Sequence, residues 1–113
     1  MKLGMFVALG ILGAMTVSAE EARVAKPLPD NQWKGKKVAY LGDSITDKVH
    51  VGTAKNYWQF LDEMLGTEAW VYGINGHTWD GVLGQAQKLK AEKGDSTDAI
   101  LVFAGTNDYM GGL

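Results

Sequence analysis

The segment KVAYLGDSIT, residues 37–46, decides the fold because an apolar run ends at a glycine and short polar residues follow at once. The run from Lys37 to Leu41 predicts a buried β-strand. The same pattern recurs in WVYG, residues 70–73, and most clearly in AILVFAG, residues 99–105. Unbroken apolar runs are typical of strands that are buried on both faces of a parallel sheet. We therefore predict three parallel strands.

Helical periodicity separates the predicted strands. The first helix has its apolar residues at three- and four-residue spacing: Tyr57, Trp58, Leu61, Met64 and Leu65. The second has the apolar face Val82, Leu83, Ala86 and Leu89. Gly66 and Gly94 stand where helices end, and Thr78 is a suitable N-cap for the second helix. The order β-α-β-α-β predicts an α/β fold with a three-layer, doubly wound parallel sheet.

The composition narrows both the size of the fold and the range of functions. A chain of 113 residues has room for one domain, and 46% hydrophobic with 21% charged residues is the balance of a globular protein. A net charge of −2 leaves no basic stripe for a nucleic-acid backbone. The absence of cysteine excludes disulfides, thiolate nucleophiles and cysteine-bound metals, and two histidines disfavour a histidine-rich metal site. We expect no cofactor, no metal and no nucleic-acid partner.

Residues 1–19 have the pattern of a secretory signal peptide. Lys2 gives a positive start, residues 3–17 carry no charge, and Val17-Ser18-Ala19 offers small residues to a signal peptidase. The apolar run is shorter than the about 20 residues of a membrane span. We predict cleavage after Ala19, an extended leader over 20–35 and a domain over 36–113. The protein is then secreted or periplasmic, without a membrane span after cleavage.

A polar, glycine-containing loop follows each predicted strand: GDSIT at 42–46, GINGHT at 73–78 and GTND at 105–108. Open α/β sheets bind ligands at this edge, where the carboxyl ends of the strands meet. Ser44 would lie at a strand-to-helix turn, where free N–H groups favour negative charge. Gly76 can bring a backbone N–H close to a substrate oxygen, and Asn107 offers a side-chain amide. These groups suit acyl transfer through an oxyanion hole.

In order and spacing, GDSIT, INGHT at 74–78 and GTND resemble the first three blocks of the SGNH, or GDSL-type, hydrolases. The resemblance runs from about residue 36 to the C-terminus and implies the flavodoxin-like fold of that family. It implies that Ser44 is the nucleophile, and that Gly76, Asn107 and the backbone N–H of Ser44 form the oxyanion hole. The family contains esterases, lipases, thioesterases and carbohydrate deacetylases, and export of this chain favours a glycan or lipid ester.

The general base of that family is a histidine in an Asp-x-x-His block near the end of the domain. The tetrapeptide from Asp47 to His50 has this form, but it begins three residues after Ser44, and we interpret it as coincidental. A serine without a base is a weak nucleophile near neutral pH. We therefore expect the N-terminal part of a hydrolase, cut after the third strand, with an unpartnered outer edge and little or no esterase activity.

Two residues next to the predicted catalytic groups are candidates for substrate binding, Asp43 and His77. His77 follows the oxyanion glycine and would line the cleft, although a loop histidine that is satisfied by its neighbours is an equal alternative. For Asp43, and also for Asp108, we favour a loop-fixing carboxylate that accepts backbone N–H bonds, and not an acid/base group.

Other function classes fit the sequence less well. A haloacid dehalogenase-like phosphoryl transferase needs an aspartate where Ile45 stands, and the G-x-S-x-G elbow of other hydrolases lacks its second glycine at Thr46. The glycine-rich fingerprints of nucleotide-binding loops are also absent. A non-catalytic carbohydrate-binding or structural domain is the alternative, because Trp33, Trp70 or Trp79 at the surface can stack on sugars.

Overall fold

A computed structural model describes residues 26–49 and 54–111. The predicted signal peptide and His50 lie outside these residues. Strands and helices alternate in the order β1 Lys37–Gly42, α1 Tyr57–Leu65, β2 Glu68–Val71, α2 Trp79–Lys93, β3 Ala99–Phe103 and α3 Thr106–Met110. The short helix α3 was not predicted. None of the described helices has the length and apolar character that crossing a membrane requires.

The three strands form one parallel sheet in the order β2-β1-β3. On one side of β1, Ala39 lies opposite Trp70 of β2. On the other side, Gly42 lies opposite Phe103, so the carboxyl ends of β1 and β3 coincide. This arrangement confirms the predicted parallel α/β sheet.

One face of β1 is covered by α2. Ala39 and Leu41, on alternate positions of the strand, pack against Val82 and Leu89 in the hydrophobic core. Leu83 was predicted to share this apolar face, but it is 60% exposed. That prediction was wrong because Leu83 follows Val82 by about 100° around the helix and therefore lies outside the narrow stripe that meets the sheet.

The opposite face of β1 is covered by α1 through aromatic contacts. Tyr40 is buried, and its ring meets the ring of Tyr57 edge-on at 5.9 Å. Trp58 donates its indole N–H to the carbonyl of Thr46 at 3.0 Å, which joins α1 to the loop after β1. Burial raises the pKa of Tyr40 and of Tyr57. With one helix on each face of β1, the fold has three layers.

The helix ends follow the predicted signals. α1 ends at Gly66, which has a left-handed backbone with φ of 70° and donates its N–H to the carbonyl of Asp62. Thr78 and Gly94 flank α2 as predicted. At the start of α1, the N–H of Asn56 donates to the Gln59 side chain at 2.8 Å, a capping contact that the sequence analysis did not identify.

β3 is apolar throughout, yet its side chains are exposed. Ile100 is 57% exposed on one face and Phe103 is 48% exposed on the other. Within the described residues β3 is an edge strand, and no strand pairs with its outer side. Burial of β3 on both faces is therefore not observed, whereas the predicted unpartnered outer edge is. An exposed apolar edge of this kind favours pairing with other chains.

The described part of the predicted leader, residues 26–35, folds as turns against the end of α1 and is not extended throughout. The N–H of Leu28 donates to the carbonyl of Met64 at 2.8 Å, and the Asn31 side chain donates to the carbonyl of Leu65 at 3.1 Å. Proline disfavours a helix in this stretch, but it does not prevent a turn, and the turns supply hydrogen bonds to the last carbonyls of α1.

Candidate active site

The loops that follow the three strands are joined to one another at the carboxyl edge of the sheet. We call residues 43–49 the β1 loop and residues 72–78 the β2 loop. The carbonyl of Gly42, at the end of β1, accepts the N–H of Ile74 at 3.1 Å. At the end of the β2 loop, the carbonyl of His77 accepts an N–H from the Asn107 amide of α3 at 2.8 Å. These bonds join His77 to Asn107, which is 30 positions away, and they bring the ends of all three strands into one site.

Two carboxylates add further links between these elements. Asp47 in the β1 loop accepts the backbone N–H of Asn75 in the β2 loop at 2.8 Å. Asp108 accepts the backbone N–H of Trp79, the first residue of α2, with each carboxylate oxygen at 3.2 Å. Asp108 therefore has the interaction with backbone N–H groups that the sequence suggested, although its partner lies in another element.

Ser44 stands in a tight turn that is organised by Asp43. The carbonyl of Asp43 accepts the N–H groups of Thr46 and Asp47, each at 3.0 Å, and its carboxylate accepts the N–H of Ile45 at 3.1 Å. Ser44 itself is half-buried. Among residues 26–49 and 54–111, neither the hydroxyl nor the backbone N–H of Ser44 has a hydrogen-bond partner. Both groups are thus available to a ligand.

Gly76 and Asn107 also keep donors available. Gly76 has φ of +83° in a turn that the N–H of His77 closes on the carbonyl of Ile74, a position that favours glycine. Its own N–H has no partner in the described part of the chain. Asn107 uses one amide N–H on His77, and its second amide N–H is not engaged by any described residue. The donor types of an oxyanion hole therefore lie on the β1 loop, the β2 loop and α3, which are connected to one another.

Asp43 is buried, with 1% of its surface exposed. Its carboxylate points into the β1 loop, where it holds the N–H of Ile45. This placement agrees with a loop-fixing carboxylate and argues against direct contact of Asp43 with a substrate.

A cleft of about 770 Å³ flanks the site between β2 and α2. Asp47, Ile74 and His77 line the end of the cleft that is formed by the loops, and Tyr72 lines its wall. Ser44 and Asn107 are not part of this wall, so the cleft lies beside the predicted catalytic groups.

Gln85, which is 3% exposed on α2, was not predicted as a site residue from the sequence. Its amide nitrogen donates to the carbonyl of Gly42 at 2.8 Å, and its amide oxygen accepts the N–H of Gly42 at 2.9 Å. Gln85 thereby holds the backbone of Gly42, the residue that directly precedes Asp43 and Ser44. A glutamine within a helix is usually a surface residue. The signal that could have identified Gln85 is its spacing of three residues from Val82 and four from Leu89, which places it on the apolar face of α2, unlike the exposed Gln87.

The pH dependence of stability tests the environment of Tyr72 in the wall of the cleft. Burial, together with the hydrogen bond from its hydroxyl to Glu92 at 2.6 Å, raises the pKa of Tyr72 from 10.0 to about 12. The folded state therefore keeps a proton that the unfolded state loses, so this contribution to stability is complete below about pH 10 and is lost as the pH rises towards about 12. We expect the urea midpoint of Tyr72→Phe to fall less than that of the wild type between about pH 9 and about pH 11.5. Equal losses in the two proteins would contradict the assigned environment of Tyr72.

One family of known proteins matches most of the chain. A family model described as GDSL-like Lipase/Acylhydrolase matches residues 38–113, well over half of the chain. The match contains all three loops that the sequence analysis singled out. No curated protein sequence matches the chain.

Proposed function

The chain belongs to the GDSL-like lipase/acylhydrolase family, and we propose that it is a serine hydrolase that cleaves ester bonds in a glycan or a lipid. In this proposal Ser44 is the nucleophile. The backbone N–H groups of Ser44 and Gly76 and the amide of Asn107 form the oxyanion hole. The observation that supports it most is that each of these groups keeps an N–H with no partner among the described residues, and that the β1 loop, the β2 loop and α3 are bonded to one another.

The reaction follows from these roles. The Ser44 oxygen attacks the ester carbonyl carbon, and its proton passes to a base. The negative charge that develops on the carbonyl oxygen is stabilised by the three donors, and removal of any one of them is expected to raise the activation barrier by about 3–4 kcal/mol. The bond to the alcohol oxygen then breaks, the alcohol leaves with a proton, and water hydrolyses the acyl-serine ester in a second step.

The base is the part of the proposal that the described residues do not supply. No described side chain makes a hydrogen bond to the Ser44 hydroxyl. Nδ1 of His77 is hydrogen-bonded to the Gln85 amide at 2.9 Å. The buried carboxylate of Asp43 accepts the N–H of Ile45. We propose that the base lies outside residues 26–49 and 54–111, and that the 113-residue chain alone has little or no esterase activity.

Two features support an exported enzyme that acts on a glycan or lipid ester. The signal-peptide pattern of residues 1–19 supports secretion or a periplasmic location. Trp79 is 54% exposed at the start of α2, and its indole lies next to Gly105 in the loop after β3. An exposed indole beside the site is suited to stacking on a sugar ring. The same residue supports the alternative of a non-catalytic carbohydrate-binding domain.

Added imidazole tests the nucleophile separately from the missing base. The purified chain, Ser44→Ala and Ser96→Ala are each assayed with p-nitrophenyl acetate over a series of imidazole concentrations. Ser96 is the matched control, because it is exposed and lies before β3, at the opposite edge of the sheet. We expect the rate of the wild type and of Ser96→Ala to exceed that of Ser44→Ala by an amount that grows with imidazole.

Each other outcome has a separate meaning. Equal rates for the wild type and Ser44→Ala at every imidazole concentration would contradict the nucleophile and favour a binding domain. Ser44-dependent turnover without imidazole would contradict the proposed inactivity of the chain alone, but it would support the nucleophile. Retention of sugar binding by Ser44→Ala, with no Ser44-dependent hydrolysis in the wild type, would favour the carbohydrate-binding alternative.

A further inference from the structure

Gln85 connects the end of β1 with the ring of His77, and this contact restricts the chemistry that His77 can perform. We propose that Gln85 is a positioning residue that holds His77 as the neutral tautomer with its proton on Nε2. His77 then offers a hydrogen-bond donor, and not a proton acceptor, to an ester oxygen in the cleft. The tautomer follows from the geometry alone, whereas the contact with an ester rests on the proposed function.

The orientation of the Gln85 amide is set by Gly42. The N–H of Gly42 is a donor, so the side-chain atom that faces it at 2.9 Å must be the amide oxygen. The carbonyl of Gly42 is an acceptor, so the atom that faces it at 2.8 Å must be the amide nitrogen. A reversed amide would place donor against donor and acceptor against acceptor inside the fold, where unpaired polar groups are costly.

The tautomer of His77 follows from that orientation. The Gln85 amide nitrogen lies 2.9 Å from Nδ1 of His77, and an amide nitrogen only donates. Nδ1 must therefore accept, so it carries no proton and the ring proton is on Nε2. No hydrogen bond joins Nε2 to any described residue.

Gly81 holds the ring from a second direction. A Cβ atom at Gly81 would lie 2.5 Å from Cγ and from Nδ1 of His77, which means that the ring occupies the space above this glycine. Gly81 and Gln85 are one helical turn apart on α2, so the two contacts lie on the same face of the helix. The ring is thus packed and hydrogen-bonded in one orientation, and it lines the cleft.

This arrangement limits His77 in the proposed reaction. A general base needs a lone pair at the atom that faces the Ser44 proton, and in the tautomer that Gln85 selects the lone pair of Nδ1 is already used. The remaining ring nitrogen, Nε2, can only donate. A donor at the cleft suits the carbonyl or alcohol oxygen of an ester, and it makes His77 a residue for substrate binding.

Nitrogen-15 NMR of the histidine side chain in the full chain tests the tautomer without any need for catalysis. We expect the neutral ring of His77 in the wild type to show an unprotonated Nδ1 and a protonated Nε2. Gln85→Met keeps the size of the side chain and removes its hydrogen bonds, so we expect a mixture of both tautomers. Gln87→Met makes the same substitution at an exposed position two residues away and should leave the wild-type signals.

Gly81→Ala gives the same test should Gln85→Met fail to fold. Its methyl group displaces the ring while the two bonds between Gln85 and Gly42 are kept, and we again expect mixed tautomers. A wild-type ring with its proton on Nδ1 would overturn the proposal. Wild-type signals in both folded Gln85→Met and Gly81→Ala would overturn it as well.

The binding role is tested by Ser44-dependent hydrolysis of p-nitrophenyl acetate in imidazole. Loss of one hydrogen bond to the substrate should raise KM in Gln85→Met roughly three- to tenfold, with a smaller change in kcat. If NMR shows the His77 proton on Nε2 but no Ser44-dependent hydrolysis is found, Gln85 is still a positioning residue. That result would contradict the proposed hydrolase function. Hydrolysis with an unchanged KM in Gln85→Met would overturn the donor role of His77 and leave the enzyme assignment in place.

Discussion

Gly42→Ala should strongly destabilise the fold. A Cβ atom at this position would lie 2.3 Å from the backbone carbonyl oxygen of Phe103 and 2.6 Å from the hydroxyl oxygen of Thr46. The Phe103 oxygen belongs to the neighbouring strand and cannot move aside without opening the pairing of β1 with β3. Overpacking of this kind costs roughly 3 kcal/mol or more, which is a large share of the stability of a small domain.

Gly84→Ala is the matched control for this substitution. Gly84 lies within α2, and a Cβ atom there would have no neighbour within 4 Å. We expect Gly84→Ala to be stabilised by about 0.4–1 kcal/mol, because alanine is the better helix former. Urea unfolding followed by circular dichroism distinguishes the two variants. A cooperative transition for Gly42→Ala near the wild-type midpoint would contradict the close approach of the strands.

Asn107→Ala should reduce the Ser44-dependent rate in imidazole by about 10²–10³-fold, the usual effect of removing one oxyanion donor. The substitution also removes the bond from α3 to the carbonyl of His77, which holds the β2 loop. Both effects act on the transition state more than on substrate binding, so kcat should fall more than KM rises.

Asn75→Ala serves as the control for Asn107→Ala. Asn75 is exposed in the β2 loop, and its contact with Asp47 is made by its backbone N–H, which alanine keeps. We expect the Ser44-dependent rate of Asn75→Ala to stay near that of the wild type. A rate for Asn107→Ala that equals that of Asn75→Ala would remove Asn107 from the oxyanion hole.

Local sequence patterns predicted the three strands and the two longer helices, because each of these elements has its own periodicity. The apolar run before Gly42 is the buried central strand, and Gly66 and Gly94 end the helices. The exposure of β3 was not predictable from its run of apolar residues, since burial depends on what covers a strand and not on its composition. Leu83 of α2 is a second example, because its apolar side chain was predicted to be buried and is exposed.

The site was predictable only in part, for a related reason. Ser44, Gly76 and Asn107 are recognisable because each follows a strand, and topology brings strand ends together. The bonds that organise the site join residues that are far apart in sequence, as between Gln85 and Gly42 or between Asp47 and Asn75. Asn, Asp and Gln are common in turns and on surfaces, so nothing local marks them as partners.

Covalent labelling of Ser44 is the most direct test of its role as the nucleophile. The folded chain is treated with diisopropyl fluorophosphate in the presence of imidazole, digested and mapped by mass spectrometry. The tetrahedral phosphorus adduct places an oxygen where the oxyanion donors are directed. We expect an adduct on Ser44 that is absent from Ser96 and is lost when the chain is unfolded in urea before labelling. A folded chain that shows no adduct on Ser44, or equal labelling of Ser44 and Ser96, would contradict Ser44 as the nucleophile of an ester hydrolase.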